Sequence, residues 1–212
     1  MKIKKLAIGG LSLALITGAV VTQPATAASQ DLVVGSVLDI DKLDPHTATN
    51  FATVRALGLV YSGLVEVGAQ NKIWGALATS WRFNSAGTSV TLNLRKGVKF
   101  HDGSTFDAQD VKASIERILD TKTGAAARAN LATITSIQAN GLSVTLNMSV
   151  PNAPIIAALD GVNVAMLSSD DINDKKIGGS NKPNGTGPYK FVSWEPTQSL
   201  KLSANPDYFM GE

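Results

Sequence analysis

Hydrophobic and polar positions change period several times along this chain, and each change predicts an element. Leu32 to Leu38, "LVVGSVL", is a short β-branched run broken by one glycine and reads as a buried strand. A polar loop follows, with Asp44-Pro45 marking a turn. From Ala52 to Val65 the apolar positions Val54, Leu57 and Leu64 fall near helical spacing, and Ser62-Gly63 offers a stop. Residues 80–100 alternate instead. Trp81 and Phe83 lie on one side of a glycine turn, and Val90, Leu92 and Leu94 on the other, which predicts a hairpin with one face buried. A second hairpin is predicted over 134–148, turning at Asn140-Gly141. "PNAPIIAALD" (151–160) reads as a short helix with proline early. Residues 168–187 are rich in Ser, Asp, Asn, Lys, Gly and Pro and read as a linker, after which "YKFVSW" and "SLKLSA" alternate as two further strands. No internal repeat or low-complexity tract is expected.

The N-terminus has a different pattern. Lys2, Lys4 and Lys5 precede an almost unbroken apolar run from Leu6 to Val21, and Ala25-Thr26-Ala27 supplies small residues at the spacing a signal peptidase prefers. The run is short for a membrane span, so residues 1–27 are expected to be a cleavable signal peptide and the mature chain periplasmic or extracellular. The chain has no cysteine, which excludes disulfides, a thiol nucleophile and a lipid anchor at the cleavage site. Without the three signal lysines, 16 basic residues face 17 acidic ones, a net of −1. The positive charges are scattered, and no nucleic-acid footprint emerges.

Candidate chemistry concentrates in "KGVKFHDGSTFDAQDV" (96–111), which holds one of only two histidines, His101, with Asp102, Asp107 and Asp110. Phe106 to Val111 matches a helix start: Asp107 as N-cap, Asp110 three residues on to complete a capping box, and Phe106 and Val111 as a hydrophobic staple. Lys112 and Glu116 are spaced as an i,i+4 pair on that helix. His101-Asp102-Gly103 reads as a turn. No H-x-x-x-H, H-x-H or H-E-x-x-H spacing exists, and no G-x-S-x-G elbow. "NGTGPYKF" (184–191) lacks the Lys-Ser/Thr of a phosphate loop and reads as a tight turn into a strand. No catalytic residue, metal site or cofactor is expected. The competing reading is a secreted metal-dependent hydrolase using His46, His101 and nearby aspartates.

Four blocks in order, "LDPHTATN" (43–50), "VYSGLVE" (60–66), "LATSWRFNSAGTSVTLNLRKGVKFHDGSTFDAQDV" (77–111) and "GTGPYKFVSWEP" (185–196) leading into "ANPDYFMGE" (204–212), resemble the extracytoplasmic solute-binding proteins of ABC importers, in their peptide/nickel-binding family, family 5. The departure is "NKIWGALATSW", where members carry a proline nearer the Leu-Ala. The resemblance implies an α/β, periplasmic-binding-protein-like fold of two hinged lobes that close over a ligand and deliver it to a membrane permease. It places residues 29–60 and 180–212 in a discontinuous first lobe and 61–179 in an inserted α+β subdomain. Members are more than twice as long, so the opposite lobe is expected to be missing and the chain to be a truncated product that binds weakly alone. A non-functional fragment is the third reading. The implied full-length protein is a monomer without cofactors, whose partners are a small-molecule or peptide ligand and the ABC permease subunits.

The resemblance places Thr49, Asn50 and Phe51 at the ligand cleft, where a bound peptide adds as a strand; an ordinary loop into the following helix is the equal alternative. Gly161-Val162-Asn163 is a second candidate for the cleft, with Asn163 its polar member. Asp39 and Asp41 are either attractors of a cationic ligand or a solvated loop. Di- or oligopeptides are the expected cargo, with nickel chelates, oligosaccharides and opines as alternatives.

Overall fold

The computed structural model describes residues 32–179 and 181–211; the expected signal peptide, residues 1–27, lies outside them. From Ser36 onward the chain forms one compact unit with two hydrophobic cores. The larger is built on a four-stranded antiparallel sheet. Strands β1 (Val65–Val67) and β2 (Ile73–Gly75) pair by themselves; β3 (Ala78–Phe83) and β4 (Ser89–Leu94) make the first predicted hairpin, β5 (Ile134–Asn140) and β6 (Ser143–Met148) the second, and the order in the large sheet is β3-β4-β6-β5. Alternation decides which face is buried: Val90, Leu92, Val144 and Leu146 are fully buried, while Ser89, Thr91, Thr145 and Asn147 are turned the other way.

Helix α2 (Ala108–Leu119) covers the apolar face, burying Val111, Ile115 and Ile118 at helical spacing. Its start has the predicted cap. Gln109 N–H donates to Asp107 Oδ1 at 2.7 Å and Asp107 N–H to Asp110 Oδ2 at 2.9 Å, closing the capping box. Phe106 and Val111, the predicted staple, are both fully buried in this core. Lys112 and Glu116 approach to 3.9 Å. Asp110 does more than cap: its Oδ1 accepts Ser169 N–H at 2.8 Å, tying α2 to the helix Ser169–Asn173. The predicted linker is therefore partly helical and anchored.

The smaller core gathers Ile40, Leu43, Leu57, Val60, Tyr61, Val162, Ala165 and Leu167, with Phe191, Trp194, Leu200 and Leu202 packed against it. The last four come from the predicted pair of C-terminal strands, Tyr189–Glu195 and Ser199–Ala204, which form an antiparallel hairpin.

Three expectations need correction. Helix α1 spans only Phe51–Leu57, capped at Gly58. Beyond it the chain, buried from Val60 to Val65, pairs with the 187–189 segment: Gly187 N–H donates to Val60 O at 2.8 Å and Tyr189 N–H to Leu59 O at 3.0 Å. That contact is close enough to explain the glycines of "GTGPYKF". A Cβ at Gly185 would sit 2.0 Å from Val60 O, and one at Gly187 2.6 Å from Val60 C. Residues 151–160 form two 3-10 turns, Ala153–Ile155 and Ala157–Leu159, rather than one helix. Their bonds span three residues, Ile155 N–H to Asn152 O at 3.3 Å and Leu159 N–H to Ile156 O at 3.1 Å, and Asp160 leaves in an extended conformation to bridge Val65. Residues 32–38 form no strand and are exposed, because no neighbouring strand among the described residues takes up their backbone groups.

Candidate functional site

The segment carrying three of the candidate ligand residues is held from several directions. Asp44 folds its own turn, with His46 N–H donating to its Oδ1 at 3.0 Å. Arg117, on α2, forks onto the same carboxylate at 3.2 and 2.6 Å, with both side chains largely shielded. Its Nη1 also donates to His46 Nδ1 at 2.8 Å, and His46 Nε2 lies 2.9 Å from Ala165 O. A guanidinium only donates and a carbonyl only accepts, so the imidazole is neutral with its proton on Nε2. Burial dominates in lowering the His46 pKa to about 4; the Arg117 charge adds to the shift, while the Ala165 bond and Asp44 oppose it.

Asn163 completes the clamp. Its amide donates to Pro45 O at 2.8 Å and to Ala48 O at 2.7 Å. The side chain expected at the ligand is thus spent on shaping the loop before Thr49. Asn50 is similarly committed: Oδ1 caps α1 by accepting Ala52 N–H at 2.8 Å, and Nδ2 donates to Asp39 O at 3.2 Å. Thr49 and Phe51 are exposed, Phe51 at 67%. The Arg55 guanidinium stands 5.7 Å from the Phe51 ring centroid. Asp39 and Asp41 are structural acceptors: Asp39 takes Thr197 N–H at 2.6 Å, and Asp41 takes the Thr53 hydroxyl at 2.6 Å.

An open cleft of about 220 Å³ has Tyr61, Glu66, Asp160, Gly161 and Tyr208 among its walls. Gly161 brings the second candidate loop to the cleft, whereas Thr49, Asn50, Phe51 and Asn163 do not line it. Burial raises the Asp160 pKa, opposed by the N–H groups of Val67 and Gly161. Burial, then the nearby Glu66 charge, raises that of Tyr208. Two carboxylates at one opening favour a cationic group over an anionic one. Arg117, Glu66, Asp160 and Tyr208 escape sequence reasoning, because nothing local marks residues brought together from such distant positions.

His101 is likewise bound on both nitrogens, through Nε2 to Gly187 O at 3.0 Å and through Nδ1, which accepts Gly185 N–H at 3.3 Å. With the ring atoms of both histidines occupied by backbone or Arg117, neither has a nitrogen ready for a metal ion or a substrate proton.

Residues 72–212 match the model of the bacterial extracellular solute-binding proteins, family 5 Middle. Among curated proteins, the glutathione-binding protein GsiB of Pectobacterium atrosepticum is 30% identical over 197 residues, covering 92% of this chain and 38% of that protein. Among solved structures, DppA from Helicobacter pylori, an ABC transporter-associated periplasmic binding protein in complex with peptide STSA, is 31% identical with a TM-score of 0.71. That match covers 81% of this chain and 38% of DppA. NikZ from Campylobacter jejuni in complex with Ni(L-His) is 28% identical with a TM-score of 0.73, covering 82% and 35%. The fold is that of periplasmic binding proteins, and the chain spans well under half the length of these relatives.

Proposed function

Because the chain belongs to the bacterial extracellular solute-binding proteins of family 5, we propose that it serves as the first-lobe portion of an ABC importer's binding component. It captures di- or oligopeptides outside the cytoplasmic membrane and passes them to the permease. The proposed division assigns residues 29–60 and 180–212 to the lobe and 61–179 to the inserted subdomain, with residues 1–27 as a cleaved export signal. The observation that carries the peptide reading is the clamp from Arg117 and Asn163 onto residues 44–48. It presents Thr49 and Phe51 at the surface from a fixed base, as strand-type pairing to a peptide backbone requires. Asn50 and Asn163 act by holding that segment. The acidic cleft suits a peptide's ammonium end.

The test is calorimetric titration of the product of the complete reading frame with reduced glutathione, with di- to pentapeptides, with Ni(L-His) and with an opine. Saturable heat from peptides alone supports the proposal. Binding of the nickel chelate or the opine with none from any peptide would replace the cargo. Permease and ATPase reading frames beside the gene are expected as well.

A further inference from the structure

The two hairpins of the large sheet share more than topology. Set side by side, with Ser85-Ala86 as a two-residue insertion in the first, residues 78–94 and 134–148 are identical at the pairs 79/135, 80/136, 84/140, 87/141, 89/143, 90/144, 91/145, 92/146 and 93/147. Five of these pairs are consecutive: S-V-T-L-N precedes the last residue of both units.

The structure repeats the match down to individual bonds. Both units carry an irregularity at the same place, between Ala78 and Ser80 and between Ile134 and Ser136. Thr79 Oγ1 donates to Asn93 O at 3.2 Å, and Thr135 Oγ1 to Asn147 O at 3.2 Å. Asn93 Nδ2 donates to Ser80 Oγ at 3.0 Å, and Asn147 Nδ2 to Ser136 Oγ at 3.0 Å. Both turns place their glycine at positive φ, +68° at Gly87 and +57° at Gly141.

The units meet along β4 and β6 in a register that maps onto itself: Thr91 faces Thr145, Val90 faces Leu146 and Leu92 faces Val144. The two threonine hydroxyls touch at 2.8 Å on what is then a local two-fold axis.

We infer that the sheet is a duplicated β-hairpin closed about a pseudo-two-fold axis through Thr91 and Thr145, and that its two halves are interchangeable in folding. The shared positions set turn, bulge, register and seam. Among the positions that differ, Trp81/Ile137 and Phe83/Ala139 pack against the large core, while Arg82/Gln138 are exposed. The segments leaving the two halves are then equivalent arms. One reaches His101, whose N–H donates to Gly185 O, and the other reaches Asp160, which bridges Val65 beside the cleft.

Symmetry makes a sharp demand on the 212-residue chain. Asn93→Ala and Asn147→Ala each strand one serine hydroxyl in the same way, as Thr79→Ala and Thr135→Ala remove the same backbone bond. Within each pair the melting temperatures are expected to fall equally, to about 2 °C. A second variant exchanges three consecutive differing positions: Trp81→Ile, Arg82→Gln and Phe83→Ala together with Ile137→Trp, Gln138→Arg and Ala139→Phe. It is expected to keep a single cooperative transition and the parent's far-UV spectrum. A shift confined to one member of either pair, or loss of the cooperative transition in the exchanged chain, would overturn the inference.

Discussion

The sheet with its covering helix and the loop from Asp39 to Phe51 are held by different physics. The first buries apolar side chains on a repeating hairpin scaffold, with nearly all its seam interactions between backbone groups in register. The second is fixed by side-chain bonds from distant positions: Arg117, 73 residues from Asp44, and Asn163, 118 and 115 residues from Pro45 and Ala48. A region of the first kind loses stability by degrees as atoms are removed. The second kind is discrete, since a missing partner leaves a shielded charge or carbonyl unsatisfied. This gives the loop a fixed geometry that its own short sequence does not supply.

Perturbing each region separately should separate the two modes. The largest effect is expected from Phe106→Ala. Phe106 is fully buried and edge-on to Phe100 at 6.0 Å, and its loss should cost about 3–5 kcal/mol in denaturant unfolding. The loss should not vary between pH 4 and 8. Next is Arg117→Met, expected to cost about 3 kcal/mol by leaving Asp44 shielded and unpaired. Hydrogen exchange should rise across residues 44–50 and stay protected in β4 and β6.

Third is the pH dependence carried by His46. Its folded pKa of about 4 lies below the unfolded value of 6.5, so between these values the unfolded chain binds a proton the native chain refuses. Its contribution is complete above pH 6.5 and is lost as pH falls towards 4, a decline of up to about 3 kcal/mol. His46→Gln should flatten that part of the stability–pH curve, whereas Phe106→Ala should leave its slope unchanged. The smallest of these effects is Asp107→Ala, about 1 kcal/mol from the lost cap.

This contrast also explains what was legible beforehand. The capping box at Asp107 and Asp110, the Asn140-Gly141 turn and the two alternating hairpins depend on residues a few positions apart, and they stand where local pattern puts them. The five-residue identity between the hairpins was equally present in the sequence, but a 15-residue unit recurring once escapes a search for longer periods. Helix α1 stops early because Leu59 and Val60 give their carbonyls to Tyr189 and Gly187, partners that helical periodicity does not contain. The resemblance implies Asn163 at the cleft, and its bonds to Pro45 O and Ala48 O, over a hundred residues away, are not visible in local pattern.

The most direct test concerns Phe51, exposed and outside every hydrogen bond of the clamp. A peptide bound by the complete reading frame's product should lose about tenfold or more in affinity on Phe51→Ala, equivalent to about 1.4 kcal/mol, with the melting temperature of the free protein unchanged. Unaltered peptide affinity in that variant would contradict the placement of the ligand on this segment.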